Sequence, residues 1–230
     1  MDNKLFQQLT AEFVGTFILV LIGGFSVVVV PIMENGVLVP AFAHGLVVLG
    51  LVYMFGHISG GHYNPSVTTA FIVARKIELT RGLLYMAVQF AGGIVAAVLI
   101  VVLVPDDIRA LIFGNAEAFN FGQTKGLLTD SYVWLAAILE VLLVFILVSV
   151  IFQAAVYAKA GNLAGVAIGM TLAACILAGG NLTGASLNPA RTLGPALMAG
   201  DFAYILPYFI GLFAGGALGG IAHTTILKPQ

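Results

Sequence analysis

The sequence GHISGGHYNPSVT at residues 56–68 is echoed by TGASLNPAR at residues 183–191, and this pair decides the fold. Each stretch places an Asn-Pro pair, Asn64-Pro65 or Asn188-Pro189, at the start of a short apolar segment. Asn is a favoured helix N-cap, and Pro suits the first helical position because its missing N–H would be unsatisfied there. Each stretch therefore predicts a helix that begins at its Pro.

These two helices, predicted at about residues 65–74 and 189–199, are too short to cross a membrane. Ten helical residues cover roughly 15 Å, which is half of the hydrocarbon core. Each would enter from one face and end near the midplane, with Pro65-Ser66 or Pro189-Ala190 in its first turn. The positive end of the helix dipole and the Asn amide would then favour an oxygen acceptor and disfavour cations.

The composition is that of a membrane protein. Of 230 residues, 60% are hydrophobic and 8% are charged, whereas a soluble domain averages about 25% charged. The net charge of -1 gives no electrostatic case for nucleic acid. The single cysteine, Cys175, excludes an internal disulfide, and the four histidines lack metal-ligand spacing. No metal, cofactor or catalytic group is expected.

Six apolar segments are long enough to span the bilayer. They are predicted at residues 9–30, 38–57, 82–104, 132–156, 163–180 and 203–226. With both termini in the cytoplasm, six Lys and Arg residues lie inside and two lie outside, as the positive-inside rule favours. The inside group is Lys4, Arg75, Lys76, Arg81, Lys159 and Lys228, and the outside group is Arg109 and Lys125.

The chain also repeats itself with an offset of about 125 residues, the mark of an internal structural repeat. Besides the Asn-Pro pairs, FAGG recurs at residues 90–93 and 213–216. Each half holds three spans, so the second half is inverted relative to the first. We therefore predict one domain over residues 1–230, with inverted repeats at about 1–105 and 130–230 joined by an extracellular loop, 106–129. Interrupted helices at matching places in such repeats point to a pathway at the midplane.

Two acids, Glu12 and Glu140, lie inside predicted spans. A charge at the centre of a span costs about 2.5–3.5 kcal/mol on insertion scales, so both side chains must face the protein interior and meet donors. We predict that each holds one re-entrant loop in shape, with His62 as a candidate partner of Glu12. The alternative is a proton relay in a coupled transporter.

The paired loops resemble the two signature loops of the aquaporin (major intrinsic protein) family, and AEFVGT at residues 11–16 resembles its first-helix motif. The resemblance covers nearly the whole chain, and Ser66 departs from the usual Ala. It implies an all-α membrane channel with six transmembrane helices and two re-entrant half-helices, which is not an enzyme. It further implies a homotetramer in the cell (plasma) membrane. The family pattern makes Asn64 and Asn188 the midplane donors. Its expected pore carbonyls are those of Gly60, Gly61, His62, Gly184, Ala185 and Ser186.

The same resemblance implies a selectivity filter. Arg191 directly follows the second triplet, and counting back from the two Asn residues adds His44, Ile176 and Ala185. This set is most similar to that of plant tonoplast intrinsic proteins, although microbial members also carry Ile there. Thr192 stands where glycerol facilitators have Asp, which favours the water-type subgroup.

The predicted function is passive passage of water and other small uncharged solutes, with protons and ions excluded by the half-helix field and the filter Arg. His44 could donate and accept hydrogen bonds, so we expect ammonia to pass beside water and glycerol to be slow. Three alternatives remain open, of which the first is a structural tetramer with a closed pore. The other two are transport functions. One is a proton-coupled secondary transporter that uses Glu12, Glu140 and His44, and the other is a glycerol-conducting channel of the same family.

Overall fold

A computed structural model describes residues 3–33 and 35–229, and within them the regular structure is entirely helical. Six helices are long and apolar enough to cross a membrane, which confirms the predicted all-α class. These six are α1 (Asn3–Val28), α2 (Leu38–Ser59), α4 (Leu79–Leu103), α6 (Val133–Ile151), α7 (Ala164–Thr183) and α9 (Ile205–Thr225). The shorter helices are α3 (Pro65–Val73), α5 (Asp106–Phe113) and α8 (Pro189–Ala199).

Several helix ends differ from their predicted positions. The first helix begins at Asn3 rather than near residue 9, because backbone hydrogen bonding continues through polar residues that a hydropathy pattern leaves out. Helix α6 continues beyond Ile151 as one π-helical turn, Phe152–Val156. The apolar pattern therefore located the spans. Their ends differ from the predicted positions because the helices continue into polar flanking residues.

Helix α5 was not predicted, since the segment after Pro105 was interpreted as a polar loop. Pro105 precedes the helix, and Asp106 and Asp107 occupy its first turn, where acidic side chains favour the helix dipole. Arg109 ties the helix back to α4 by donating to the carbonyl of Val101 at 2.7 Å. None of the eight residues of α5 is buried, and the helix packs mainly against the short 3-10 helix Ala116–Ala118.

The two half-helices cross between the halves of the chain: α3 packs against α9, and α8 packs against α4. A Cβ atom added to Gly216 would lie 2.2 Å from the carbonyl oxygen of Ser66, and one added to Gly93 would lie 2.6 Å from that of Ala190. Because both obstacles are backbone atoms, only glycine allows these approaches. The FAGG repeat therefore supplies the seats of the half-helices.

The order of elements is the same in both halves, since α1–α4 and α6–α9 each contain two spans, a half-helix and a third span. Helices α1 and α4 pack together as α6 and α9 do, and α2 packs against α7 across the halves. The predicted repeats 1–105 and 130–230 also contain Met1, Asp2, Glu34 and Gln230, which lie outside the described residues. The packing of each half-helix against the opposite half brings the N-termini of α3 and α8 together.

Candidate functional site

The two Asn residues cap their half-helices as the sequence predicts. Asn64 has extended backbone angles, and its Oδ1 accepts from the N–H of Ser66 at 2.8 Å. Asn188 has the same conformation, and its Oδ1 accepts from the N–H groups of Ala190 at 3.0 Å and Arg191 at 3.3 Å. Because each oxygen is committed to a helix end, each amide nitrogen remains as the donor.

Each amide nitrogen then reaches across to the other loop. The Nδ2 of Asn64 donates to the carbonyl of Leu187 at 2.8 Å, and the Nδ2 of Asn188 donates to that of Tyr63 at 2.9 Å. These bonds fasten the half-helix ends to each other and use one N–H of each amide. An amide carries two N–H bonds, so among the residues that the structure describes one N–H of each Asn remains available.

The residues that accept these bonds have strained backbones. Tyr63 has a φ of 49° and Leu187 a φ of 52°, in the left-handed region that disfavours residues other than glycine. Such a conformation costs roughly 1–2 kcal/mol per residue and persists where the surroundings over-determine it. The buried acids supply that constraint, because Tyr63 N–H donates to Glu12 at 2.6 Å and Leu187 N–H donates to Glu140 at 2.9 Å.

Glu12 is fully buried, and both of its carboxylate oxygens are used. Oε1 accepts from the Ser59 hydroxyl at 2.6 Å and from the His62 backbone N–H at 2.9 Å, while Oε2 also accepts from Gln89 Nε2 at 2.8 Å. The predicted contact with His62 is thus made by its backbone, and its ring Nδ1 instead lies 3.1 Å from the Thr68 hydroxyl. Gln89 was not anticipated, because a lone Gln in a predicted span gives no signal of its partner.

Glu140 holds the second loop in the same way. Its Oε1 accepts from the Thr183 hydroxyl at 2.7 Å and from the Ser186 N–H at 2.8 Å, in addition to the bond from Leu187 to Oε2. The side chain is fully buried. Both acids therefore act in this structure as acceptors for the N–H groups of the re-entrant loops.

Arg191 and His44 form the second polar cluster. Arg191 is 2% exposed; its Nε donates to His44 Nε2 at 3.1 Å, and its Nη1 donates to the carbonyl of Gly122 at 2.6 Å. His44 Nδ1 lies 2.7 Å from the carbonyl of Pro40, which can only accept. The proton must therefore be on Nδ1, and Nε2 is the acceptor. The sequence suggested that His44 would bond the solute directly, but both ring nitrogens are occupied by the protein.

Two cavities meet at His44, which lines both. The inner cavity, of about 70 Å³, is also lined by Asn64, Asn188 and Arg191, and the outer one, of about 160 Å³, by Ile176. Of the residues predicted to offer carbonyls, Gly60, Gly61, His62 and Ser186 line the inner cavity and Gly184 the outer one. Ala185 lines neither cavity and is 4% exposed.

A family model described as major intrinsic protein matches residues 1–223 of the chain. The chain belongs to the major intrinsic protein, or aquaporin, family. It is therefore an integral membrane channel for small neutral solutes and not an enzyme.

Individual relatives agree with this membership. The chain is 37% identical over 224 residues to a putative aquaporin NIP4-1 of Arabidopsis thaliana, covering 96% of this chain and 74% of that protein. It is 37% identical over 223 residues to aquaporin TIP1-1 of Zea mays, covering 93% and 84%. Its fold is similar to that of an aquaglyceroporin from Plasmodium falciparum, with a TM-score of 0.77, 20% identity and 98% of both chains covered.

In this aquaporin the loop between α5 and α6 completes the outer cavity, through Asn120, Gln123 and Lys125. Lys125 Nζ binds Asp201 at 2.8 Å and Asp130 at 3.0 Å. The hydrogen bond from the Lys125 ammonium lowers the pKa of Asp201, which stays ionised. The loop is thus anchored to the turn after α8.

The same loop is also pinned inside the bundle. Thr124 hydrogen-bonds Thr192 of α8 at 3.0 Å, and Thr192 in turn bonds the Ser186 hydroxyl. Leu127 N–H donates to the carbonyl of Asn181 at 3.0 Å. Sequence reasoning missed these contacts, because the loop's polar residues carry no periodic pattern that would assign them partners.

Proposed function

We propose that the chain is a passive water channel that also conducts ammonia and excludes protons and ions. The observation that carries this proposal is the pair of Asn amides on the inner cavity, each with one N–H bound to the opposite loop and one N–H left over. A water molecule at this point accepts from both amides. Its own hydrogens then point away from the midplane, which interrupts a chain of water molecules that could relay protons.

Electrostatics supports the exclusion of cations. The N-terminal ends of α3 and α8 face each other at the cavity, and each carries the positive end of a helix dipole. Arg191 adds a full positive charge beside His44. In this function both the dipole ends and Arg191 act as barriers to a proton or a metal ion, while a neutral solute can accept hydrogen bonds from the donors there.

Ammonia would be bound in the filter by a hydrogen bond from Arg191. Its Nε and Nη1 are committed to His44 and Gly122, and within the described residues its Nη2 makes no hydrogen bond. Nη2 can therefore donate to the nitrogen of ammonia or the oxygen of water. The Ile176 side chain on the outer cavity is apolar, and the inner cavity beyond His44 holds only about 70 Å³. The order we propose is water and ammonia first and glycerol far slower.

Two alternatives are less well supported. A proton-coupled transporter would need Glu12 and Glu140 on the pathway, yet neither lines either cavity and both accept loop N–H groups. A glycerol channel is the second alternative. The name of the structural neighbour refers to glycerol, but at 20% identity it speaks for the fold alone. The relatives from Arabidopsis thaliana and Zea mays carry the name aquaporin.

We further propose a homotetramer in the plasma membrane with both termini in the cytoplasm. The distribution of Lys and Arg supports this orientation, with six on the side of the termini and two on the other. Family membership supports the tetramer. Reaction of single introduced cysteines with an impermeant thiol reagent on intact cells would test the orientation.

Stopped-flow light scattering of proteoliposomes tests the solute order, with water, ammonia, urea and glycerol compared in the same vesicles. We expect water and ammonia fluxes above those of protein-free vesicles, and glycerol and urea close to them. The variant His44→Phe removes the acceptor for Arg191 Nε and should lower ammonia flux more than water flux. His57→Phe is the matched control, because His57 is exposed on the same helix. Glycerol flux equal to water flux, or equal loss of both fluxes in His44→Phe, would contradict the proposal.

A further inference from the structure

Two consecutive glycines of α1, Gly23 and Gly24, lie directly behind the His44–Arg191 cluster. A Cβ atom added to Gly23 would lie 2.1 Å from His44 Nε2 and 2.6 Å from two ring carbons. The imidazole therefore occupies the space that a side chain at position 23 would need. Any residue other than glycine there would push the ring away from α1.

Gly24 contacts the outer loop through its backbone, whereas a Cβ atom added to Gly24 itself would lie 2.3 Å from Ile100 Cδ1. A Cβ atom added to Gly122 would lie 3.1 Å from both the Cα and the carbonyl oxygen of Gly24. The loop backbone at Gly122 thus packs directly on the backbone of α1. Gly122 has a φ of +74°, which favours glycine at this position as well.

The two groups that rest on this pair are the two hydrogen-bond acceptors of Arg191. His44 Nε2 accepts from Nε at 3.1 Å, and the Gly122 carbonyl accepts from Nη1 at 2.6 Å. A guanidinium is planar, so fixing two of its three nitrogens fixes the direction of the third. Nη2 is the donor left for a solute. Its position therefore depends on how closely the His44 ring and the Gly122 backbone pack against α1.

We propose that Gly23 is a positioning residue of the filter, although it has no side chain to offer the pathway. With a methyl group at position 23, the ring must move away from α1 into the space where the inner and outer cavities meet. Arg191 Nε then loses its acceptor, and the opening at His44 narrows. This inference rests on the proposed function, because it assumes that solute passes through these cavities.

Gly23 differs in this respect from the glycines that seat the half-helices. The obstacles facing Gly93 and Gly216 are backbone carbonyls, so a methyl group there would separate whole helices. The obstacle facing Gly23 is a side-chain ring, which can turn. Gly23→Ala should therefore leave the bundle folded and act on the filter.

A double-mutant cycle between position 23 and His44 tests the proposal in proteoliposomes. The four proteins are the wild type, Gly23→Ala, His44→Ala and the double variant, with Gly50→Ala as control because a Cβ atom there meets nothing within 4 Å. We expect Gly23→Ala to lower ammonia and water permeability by roughly fivefold, within the coupling range of contacting residues. In the His44→Ala background the same change should have little effect, since the ring it displaces is gone. An equal loss in both backgrounds, or none in either, would overturn the proposal.

Thermal unfolding of the same four proteins supplies a readout that does not depend on conduction. Gly23→Ala should lower the unfolding midpoint only where His44 is present, and if the single variant fails to fold, the double variant should fold again. Failure of His44→Ala to relieve the defect would overturn the proposal. A wild type without flux above protein-free vesicles would contradict the proposed function instead, and the unfolding cycle would still decide the role of Gly23.

Discussion

At the scale of single residues, Glu140 joins a span to a re-entrant loop through three hydrogen bonds. It is fully buried, and its donors are Thr183, Ser186 and Leu187. Bonds to a charged acceptor contribute about 1.5–3 kcal/mol each, and a buried donor left unpaired costs about 1–3 kcal/mol. A carboxylate is suited to this place because all of its oxygen lone pairs accept.

The variant Glu140→Gln should therefore lower the free energy of unfolding by roughly 2–3 kcal/mol, because its NH₂ group would face the Leu187 N–H. Thermal unfolding in detergent measures this loss, and Glu117→Gln, on the exposed loop, is the control. A proton relay would behave differently: the variant would fold like the wild type but lose pH-driven transport. Unchanged stability with altered transport would refute the supporting role.

The sequence identified some residues of the site and missed others. The Asn-Pro pairs and buried acids stood out because each needs a partner wherever it lies in the membrane. Gln89, the partner of Glu12, and Gly122, the partner of Arg191, did not stand out, since they come from distant segments that only packing brings to these residues. The contacts of His44 were missed for the same reason, although its place on the cavities followed from spacing. Ile176 lines the outer cavity, while the adjacent Cys175 Sγ instead lies 3.8 Å from the carbonyl of Leu143.

At the scale of elements, hydropathy located all six spans. In a chain with so few charges, about twenty consecutive apolar residues are best accommodated as a transmembrane helix. It could not find α5, whose eight residues are amphipathic and follow a proline. It also left the loop before α6 without structure, although that loop carries Gly122 to the filter. Short elements that are held by tertiary contacts contain too few residues for a hydrophobic periodicity to be detected.

The anchor of that loop gives a prediction with a defined pH range. Lys125 holds the pKa of Asp201 below its usual value, so the pair contributes stability above about pH 4 and loses it as pH falls through the lowered pKa. Both side chains are about one-third exposed, so Asp201→Asn should cost only roughly 0.2–1 kcal/mol at pH 7. The difference from wild type should stay constant between about pH 5 and 8 and shrink in stronger acid.

Thermal unfolding across this pH range checks the Asp201 prediction. Asp130→Asn is the comparison, because Asp130 binds the same Lys125 but its side chain is 80% exposed. Its effect should be smaller at every pH. A larger effect for Asp130→Asn, or a difference that grows below about pH 4, would contradict the assignment of the anchor to Asp201.

At the scale of the whole molecule, the repeat explains why one pathway needs both halves. Asn64 is bonded to the loop of the second half and Asn188 to that of the first, and each half-helix packs on the last span of the other half. Each half therefore needs the other to seat its half-helix, although each loop is also held by the buried acid of its own half. The repeat was readable from sequence because both halves require the same residues. An Asn-Pro pair and a glycine serve the contacts between the halves, and a buried Glu serves the loop of its own half.

The central claim is that this aquaporin conducts water passively while blocking protons, and simultaneous measurement of both fluxes tests it most directly. Proteoliposomes that contain an internal pH-sensitive dye are shrunk by graded osmotic steps and, separately, exposed to an imposed membrane potential. The account predicts that water flux rises linearly with the osmotic step. It also predicts that the dye responds to the potential no faster than in protein-free vesicles. Proton entry that follows the potential, or water flux that saturates, would contradict it.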